Sequence, residues 1–292
     1  MIIKIDGVSK QYSRKAKFAL ENASFEIPKG VYGLLGRNGA GKTTLLRIMA
    51  TVLPQTSGKI LMDGTPIEKN VSAYRAKLGY LPQNTRLMPQ LNIVEFLEYM
   101  CILKGITKKA EIKAEIERTL EISGLIGERK KKLGAYSGGM LRRAGIAQAL
   151  LGDPEILIVD EPTTGLDPEE RLYFLNLISR IGAGKHVILS THIIHDIENI
   201  CPNVCILEKG KVMYAGATKA VVERVRGMAW EAEIEASKEQ ELKKITSVTN
   251  VTYIGGKPTV RYISEKSVVP GSRKAEATLE DAYIHTVGGV SR

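Results

Sequence analysis

Apolar residues follow two rhythms along this chain. Short continuous runs bounded by glycine, proline or charge read as buried strands: Val31-Tyr32-Gly33-Leu34-Leu35, Leu78-Gly79-Tyr80-Leu81, Ile156-Leu157-Ile158-Val159 and Val187-Ile188-Leu189. Residues 2–6 and 23–27 predict further short strands, and Gly58 to Gly64 a strand ending in an Asp-Gly turn. Elsewhere the spacing is helical, as in Ile93, Phe96, Leu97, Met100 and Leu103, and again in Ile112, Ile116, Leu120 and Ile122. This helical block falls between strand-type segments, so it predicts an inserted helical subdomain over about residues 84–140. Pro28-Lys29-Gly30 predicts the turn into the Val31 run, and Pro82 ends the Leu78 run just before Gln83.

The chemistry gathers where the apolar runs stop. After the Val31 run comes Gly36-Arg37-Asn38-Gly39-Ala40-Gly41-Lys42-Thr43-Thr44, a match to G-x-x-x-x-G-K-[ST], followed by helical spacing through Met49. Glycines at Gly36, Gly39 and Gly41 let successive N–H groups turn inward on phosphate oxygens, and the helix start adds its positive end. Lys42 is then placed for the β and γ phosphates of a nucleotide, and the Thr43 hydroxyl for Mg²⁺.

Four later strand or turn ends carry polar residues. Tyr136-Ser137-Gly138-Gly139-Met140 opens an amphipathic helix, with Ser137 as N-cap and two glycines that bare the backbone N–H groups. The Ile156 run ends in Asp160-Glu161, where a carboxylate can hold Mg²⁺ and its neighbour can polarise an attacking water. Gly165-Leu166-Asp167 turns into another helix, and the Val187 run ends in His192, within reach of a γ-phosphate bound at such a strand end. Tyr12, in a basic segment, offers a flat face for a base.

A length of 292 residues fits about two domains, or one with an appendage. Hydrophobic content of 43% and charged content of 25% suit a globular protein, and no run approaches the ~18 apolar residues of a membrane helix. The start, Met1-Ile2-Ile3-Lys4-Ile5-Asp6, meets charge too early for a secretory segment, so a cytoplasmic location is expected. Three cysteines are a sparse, odd set that fits a reducing compartment. The net charge of +10 suits nucleic acid, anionic lipid or plain solubility. Basic residues are not interleaved with aromatics and no nucleic-acid motif is visible, so no specific nucleic acid is expected. His192-x-x-His195 followed by Cys201-x-x-x-Cys205 has zinc-like spacing, but Cys205 lies in the apolar run Val204-Cys205-Ile206-Leu207, and no zinc is expected.

Taken in order, Tyr12, Gly36 to Thr44, Gln83, Ser137-Gly138-Gly139, Asp160-Glu161, Asp167 and His192 resemble the ATP-binding cassette ATPases over roughly residues 1–225. They match that family's aromatic stacking residue, Walker A, Q-loop, signature, Walker B, D-loop and switch histidine. Tyr136 stands where leucine is commoner and Met140 where glutamine is; neither removes the serine or the glycine N–H groups. The resemblance implies an α/β P-loop cassette with a RecA-like core, an antiparallel β subdomain and the helical insertion. It implies ATP and Mg²⁺, with Thr43, Gln83 and Asp160 at the metal and Glu161, His192, Gln83 and Lys42 in hydrolysis. Tyr12, Gly36, Arg37, Asn38, Gly39, Ala40, Gly41, Lys42, Thr43, Thr44 and Asp167 would bind ATP, with Ser137, Gly138 and Gly139 completing the site of an opposite subunit. The working unit is then a homodimer or heterodimer of cassettes.

The form Tyr-Ser-Gly-Gly-Met-x-x-Arg resembles a bacterial branch that pairs a separate cassette with a separate integral-membrane permease, mostly for export of drug, lipid, polysaccharide or peptide. That places the chain peripherally on the inner face of the cell membrane. The alternative is a permease-free cassette acting on ribosomes or nucleic acid; most of those carry tandem cassettes or long coiled coils, which this chain lacks.

From Gly210 to Gly216 the pattern predicts a last hairpin strand of the cassette, then a connecting helix near 217–227. Residues 226–292 predict a small α+β accessory domain: a strand at Trp230 to Ile234, a Lys/Glu-rich helix to Ile245, and strands Val251 to Ile254 and Thr259 to Ile263 joined by Gly255-Gly256-Lys257-Pro258. A loop over 264–276 and a short capped helix from Thr278 to Ile284 follow; this ending is similar to the Thr-Leu-Glu-Asp-x-Tyr tail of export-type cassettes. At roughly 65 residues such a piece is marginal alone and is expected to pack on the cassette or its mate.

Overall fold

The computed structural model describes residues 2–85, 87–255 and 257–288. Arg86, in the expected helical insertion, and Gly256, in the expected hairpin connection, lie outside the described residues. The chain begins with the hairpin β1 (Ile3–Gln11) and β2 (Phe18–Ile27), passes Pro28 into β3 (Gly30–Leu35), and enters α1 (Lys42–Met49). The hairpin strands run well beyond the expected 2–6 and 23–27. Register shifts between Ile5 and Gln11, beside Gly7 at φ +63°, break the alternation that marks a strand in the sequence. Next come β4 (Ser57–Met62), β5 (Thr65–Pro66), α2 (Val71–Ala76) and β6 (Leu78–Leu81).

The helical block is α3 (Ile93–Leu103), α4 (Lys109–Ser123) and α5 (Gly138–Leu150). Asn92 and Glu95 start α3 as a reciprocal capping box, each side chain accepting from the other's backbone N–H, at 3.0 and 2.8 Å. Gly124, left-handed at φ +66°, ends α4. Ile93, Phe96, Leu97, Ile112, Ile116 and Leu120, at the positions the spacing picked out, bury together with Leu133, Tyr136 and Ala144 in a core of their own.

Then follow β7 (Ile156–Asp160), α6 (Pro168–Gly182), β8 (His186–Thr191), α7 (Ile194–Ile200), β9 (Asn203–Glu208), β10 (Lys211–Ala217) and α8 (Thr218–Glu223). The last part is β11 (Ala229–Glu233), α9 (Glu239–Ile245), β12 (Ser247–Ile254), β13 (Lys257–Ile263), β14 (Arg273–Lys274) and α10 (Leu279–Gly288).

A six-stranded sheet of order β10-β9-β3-β8-β7-β6 forms the centre, parallel except for β10. Every residue of β7 and β8 is buried, which is why both read as continuous apolar runs. Side chains alternate between the faces. Ile156 and Ile158 join a core with α1 and the sheet β2-β1-β4-β5, while Leu157 and Val159 join one with α6 and α7 on the other face.

The residues after 225 divide between two cores. Ala232, Ile234, Leu242, Val260 and Tyr262 pack under the sheet β12-β13-β11-β14. Leu279, Ala282 and Tyr283 of α10 instead join the core around Ile197, Val204 and Ile206. Arg261 links the two, binding the Asp281 carboxylate through Nε and Nη2 and Glu231 through Nη1. The small sheet thus hangs on the rest of the chain through α10. Within the expected loop 264–276, β14 adds a short edge to that sheet by pairing with β11.

Candidate functional site

The turn between β3 and α1 lies at the C-terminal edge of the parallel sheet. Two of its glycines are required by close approach. A Cβ on Gly36 would sit 2.4 Å from the Leu207 carbonyl oxygen, and one on Gly41, at φ +106°, 2.6 Å from that of Ala19. The turn borders a cleft of about 380 Å³ lined by Ala19, residues 37–44, Gln83 and Glu161. Lys42 is 4% exposed; its Nζ donates to the Gly36 carbonyl at 2.6 Å and lies 3.0 Å from Glu161 Oε1.

Glu161 follows β7 in the left-handed region, at φ +47°. A non-glycine residue held there carries backbone strain that its surroundings must sustain. Its N–H donates to Ser190 Oγ at 2.9 Å, and its carboxylate Oε2 accepts from Thr164 Oγ1 at 3.1 Å and lies 2.7 Å from His192 Nδ1. A carboxylate only accepts, so the Nδ1 proton points at Glu161 and Nε2 is the ring's other hydrogen-bonding atom. Asp160, 1% exposed, accepts from Ser190 Oγ at 2.6 Å and Thr43 Oγ1 at 3.2 Å. Tyr12 lies at the rim, 58% exposed, with its hydroxyl 3.2 Å from Thr44 Oγ1 and Lys10 Nζ 5.6 Å over its ring.

Tyr12, residues 36–44, Gln83, Asp160, Glu161 and His192, far apart in the chain, are thus brought to one cleft and its rim. Ser137, Gly138, Gly139 and Asp167 do not line it. Ser137 Oγ accepts from the Met140 N–H at 3.2 Å and Asp167 Oδ1 from the Glu170 N–H at 2.9 Å, so each caps its own helix. A Cβ on Gly139 would meet the Glu170 carboxyl carbon at 2.4 Å, so the Glu170 side chain would have to shift to admit one.

Sequence reasoning gave no role to three residues here. Ser190 ties Asp160 to the Glu161 backbone; its only trace is a polar residue at the end of an apolar run. Arg142 of α5 donates to the Gln83 carbonyl at 2.5 Å, joining the Ser137 helix to the cleft wall, and burial lowers its pKa from the usual arginine value. Tyr283 of α10 lies beside Arg37: burial and the Glu208 carboxylate push its hydroxyl up, while the Arg37 side chain and backbone pull it down.

The zinc-like spacing separates in space. Cys205 faces the α1 side of the sheet and Cys201 the α7 side, and burial pushes both thiols far up. His192 is spent on Glu161, and His195 is exposed, 3.7 Å from Glu198.

Residues 20–164 match the family model described as ABC transporter. The Nod factor export ATP-binding protein I of Burkholderia pseudomallei (strain 1710b) is 32% identical over 95% of this chain and 90% of its own length. Among solved structures, cbiO1 from Clostridium perfringens, part of an ABC transporter complex, superposes with a TM-score of 0.68 at 27% identity, over 76% of this chain and 93% of that one. A dimeric ATP-binding cassette in a post-hydrolysis state bound to ADP and Pi gives 0.65 at 25% identity, over 74% and 98%.

Proposed function

The chain belongs to the ABC transporter family, and on that premise we propose that it hydrolyses ATP at the Gly36–Thr44 loop to drive a separate membrane permease in export. It is an ATP-binding subunit of that family, and the family's activity is ATP hydrolysis. One observation carries the assignment of roles: a single buried carboxylate, Glu161, contacts both Lys42 and His192 at the wall of the phosphate-loop cleft.

Loop N–H groups and Lys42 hold the ATP phosphates. Tyr12 stacks on the base. Glu161 accepts the proton of the attacking water, and His192 keeps that carboxylate and the water aligned. Phosphate and Glu161 compete for the same ammonium, so an anion bound at Lys42 releases Glu161 towards water.

The donor set fits Mg²⁺. Thr43 Oγ1 and Asp160 Oδ1, 3.2 Å apart, are hard oxygen donors, and Gln83 is on the cleft wall. Among the described residues no group of three or more His, Cys, Asp or Glu forms a metal cage. A cation that takes one carboxylate and draws its remaining ligands from phosphate and water suits such a site. Bound there, Mg²⁺ would neutralise charge on the phosphate oxygens.

Ser137, Gly138, Gly139 and Asp167 lie outside this cleft, which supports a two-fold dimer in which each chain completes the other's site. That the ATP-binding cassette bound to ADP and Pi is dimeric supports a dimer here. No helix among the described residues is long and apolar enough to cross a membrane. Residues 84–104 provide the permease contact: α3 exposes Tyr99, Ile102 and Leu103, and Arg142 connects the neighbouring Gln83 to α5. The chain then sits on the inner membrane face through that permease, and the name of the Burkholderia relative favours export.

Phosphate release from ATP by the purified chain, with and without Mg²⁺, tests the reading; no ATP-dependent release overturns it. Sizing of Glu161→Gln with ATP tests the dimer, and a monomer in both conditions sinks it. Affinity capture from detergent-solubilised membranes tests the permease: a co-purifying multi-span protein is expected, and ribosomes or nucleic acid alone would refute it.

A further inference from the structure

We propose that Asp196 is a positioning residue for hydrolysis, clamping the backbone on either side of the Glu161–His192 contact through Thr163 and Thr191. The inference rests on the reading of Glu161 and His192 given above. It adds a carboxylate outside the nucleotide cleft.

Asp196, on α7, is 0% exposed, and its carboxylate draws on three elements. Oδ2 accepts from Thr163 Oγ1 at 2.7 Å and from Thr191 Oγ1 at 3.4 Å. Oδ1 accepts from Arg171 Nε of α6 at 2.8 Å, with Nη2 of the same guanidinium 2.7 Å away. Thr163 lies just beyond Glu161 and Thr191 immediately precedes His192. The His192 turn is fastened again at its far side, where the Ile193 N–H donates to Thr191 Oγ1 at 2.9 Å and the Asp196 N–H to the Ile193 carbonyl at 3.2 Å.

A position needing only to fill space at 0% exposure is met by an apolar residue at no desolvation cost. A carboxylate there is sustained by the Arg171 guanidinium and by two hydroxyls, and those hydroxyls sit on the flanks of the two residues whose contact matters. Glu161 itself is held at φ +47°, a conformation its own chain does not favour. With the Thr163 anchor gone, the segment after Glu161 is free to relax, and the carboxylate moves relative to His192. Displacements of about 1 Å at a reacting group cost up to ~10²-fold in rate. The phosphates are held by the loop before α1, which Asp196 does not touch, so ATP affinity is largely independent of it.

The test compares the unaltered chain with Asp196→Asn, Thr163→Val and the double variant, reading kcat, KM for ATP and melting temperature. Thr163→Val keeps the Asp196–Arg171 pair and changes one hydroxyl to methyl, so it decides the matter if Asp196→Asn does not fold. Expected are a kcat lowered on the order of 10-fold in Thr163→Val and further in Asp196→Asn, with KM within about twofold. The double variant should be little slower than Asp196→Asn, because both changes weaken the same link. A folded Thr163→Val with native kcat, or a loss confined to KM or to melting temperature, overturns the proposal. Native turnover with an indifferent Thr163→Val rejects this inference alone, whereas an unaltered chain that releases no phosphate rejects the functional reading as well.

Discussion

Lys42 Nζ and Glu161 Oε1 are 3.0 Å apart in a pair whose side chains are 5% and 6% exposed, and Glu161 reaches on to His192 at 2.7 Å. Cation, carboxylate and imidazole thus form one row along the wall where an ATP phosphate would lie.

The carboxylate of Glu161 can take a proton, and an amide at the same position cannot. Glu161→Gln is expected to lower turnover by about 10²–10⁴-fold while ATP binding is kept or tightened, because the amide competes less for Lys42. Phosphate release and fluorescent-nucleotide titration check both halves. Weaker ATP binding would show that the pair does not compete with phosphate.

Removal of the cation works in the other direction. Lys42→Ala leaves a carboxylate at 4% exposure with hydrogen-bond partners but no ammonium, which costs up to about 3 kcal/mol. The expected outcome is a lowered melting temperature together with lost ATP affinity. Unchanged affinity would exclude the loop as the phosphate site.

Tyr12 acts on binding alone in this reading. Tyr12→Ala is expected to raise the KM for ATP by roughly fivefold, about 1 kcal/mol of stacking, with kcat little changed. Tyr12→Phe loses only the hydroxyl contact with Thr44 and should stay near the unaltered chain. Equal KM values for all three would remove Tyr12 from the site.

Asp281 gives the pH dependence of the α10 attachment. Burial alone would raise its carboxyl, but hydrogen bonds from Arg261, the Thr278 N–H and Thr249 outweigh it and hold the group below the usual aspartate value. A depressed folded-state pKa adds stability above the unfolded value near ~3.9, and that stability fades as pH falls through the folded-state value. Asp281→Asn should therefore melt lower than the unaltered chain at pH 7, with the gap closing below about pH 4. A gap independent of pH would contradict this account.

Much of the fold was legible because burial leaves periodic traces. The continuous runs at Val31, Ile156 and Val187 became β3, β7 and β8, and the helical spacing from Ile93 to Ile122 became α3 and α4. The first hairpin was underestimated because its bulges, near Gly7, interrupt the alternation that a sequence reader counts. The role of α10 was only half visible. Its capped start at Thr278 could be read, but not that Leu279, Ala282 and Tyr283 enter the cassette core, which depends on what lies opposite them.

For the site, the sequence by itself determined the residues whose chemistry is tied to a local pattern: the glycines and Lys42 of the loop, and the polar residues that end each strand. Spacing along a chain specifies such turns because backbone conformation is local. Tertiary structure alone decided which polar atoms meet. It put Ser190 between Asp160 and the Glu161 N–H, Glu161 between Lys42 and His192, and Asp196 between Thr163 and Thr191. Those meetings follow from the parallel pairing of β8 with both β3 and β7 and from buried polar groups having to find partners, and neither leaves a periodic mark in the sequence.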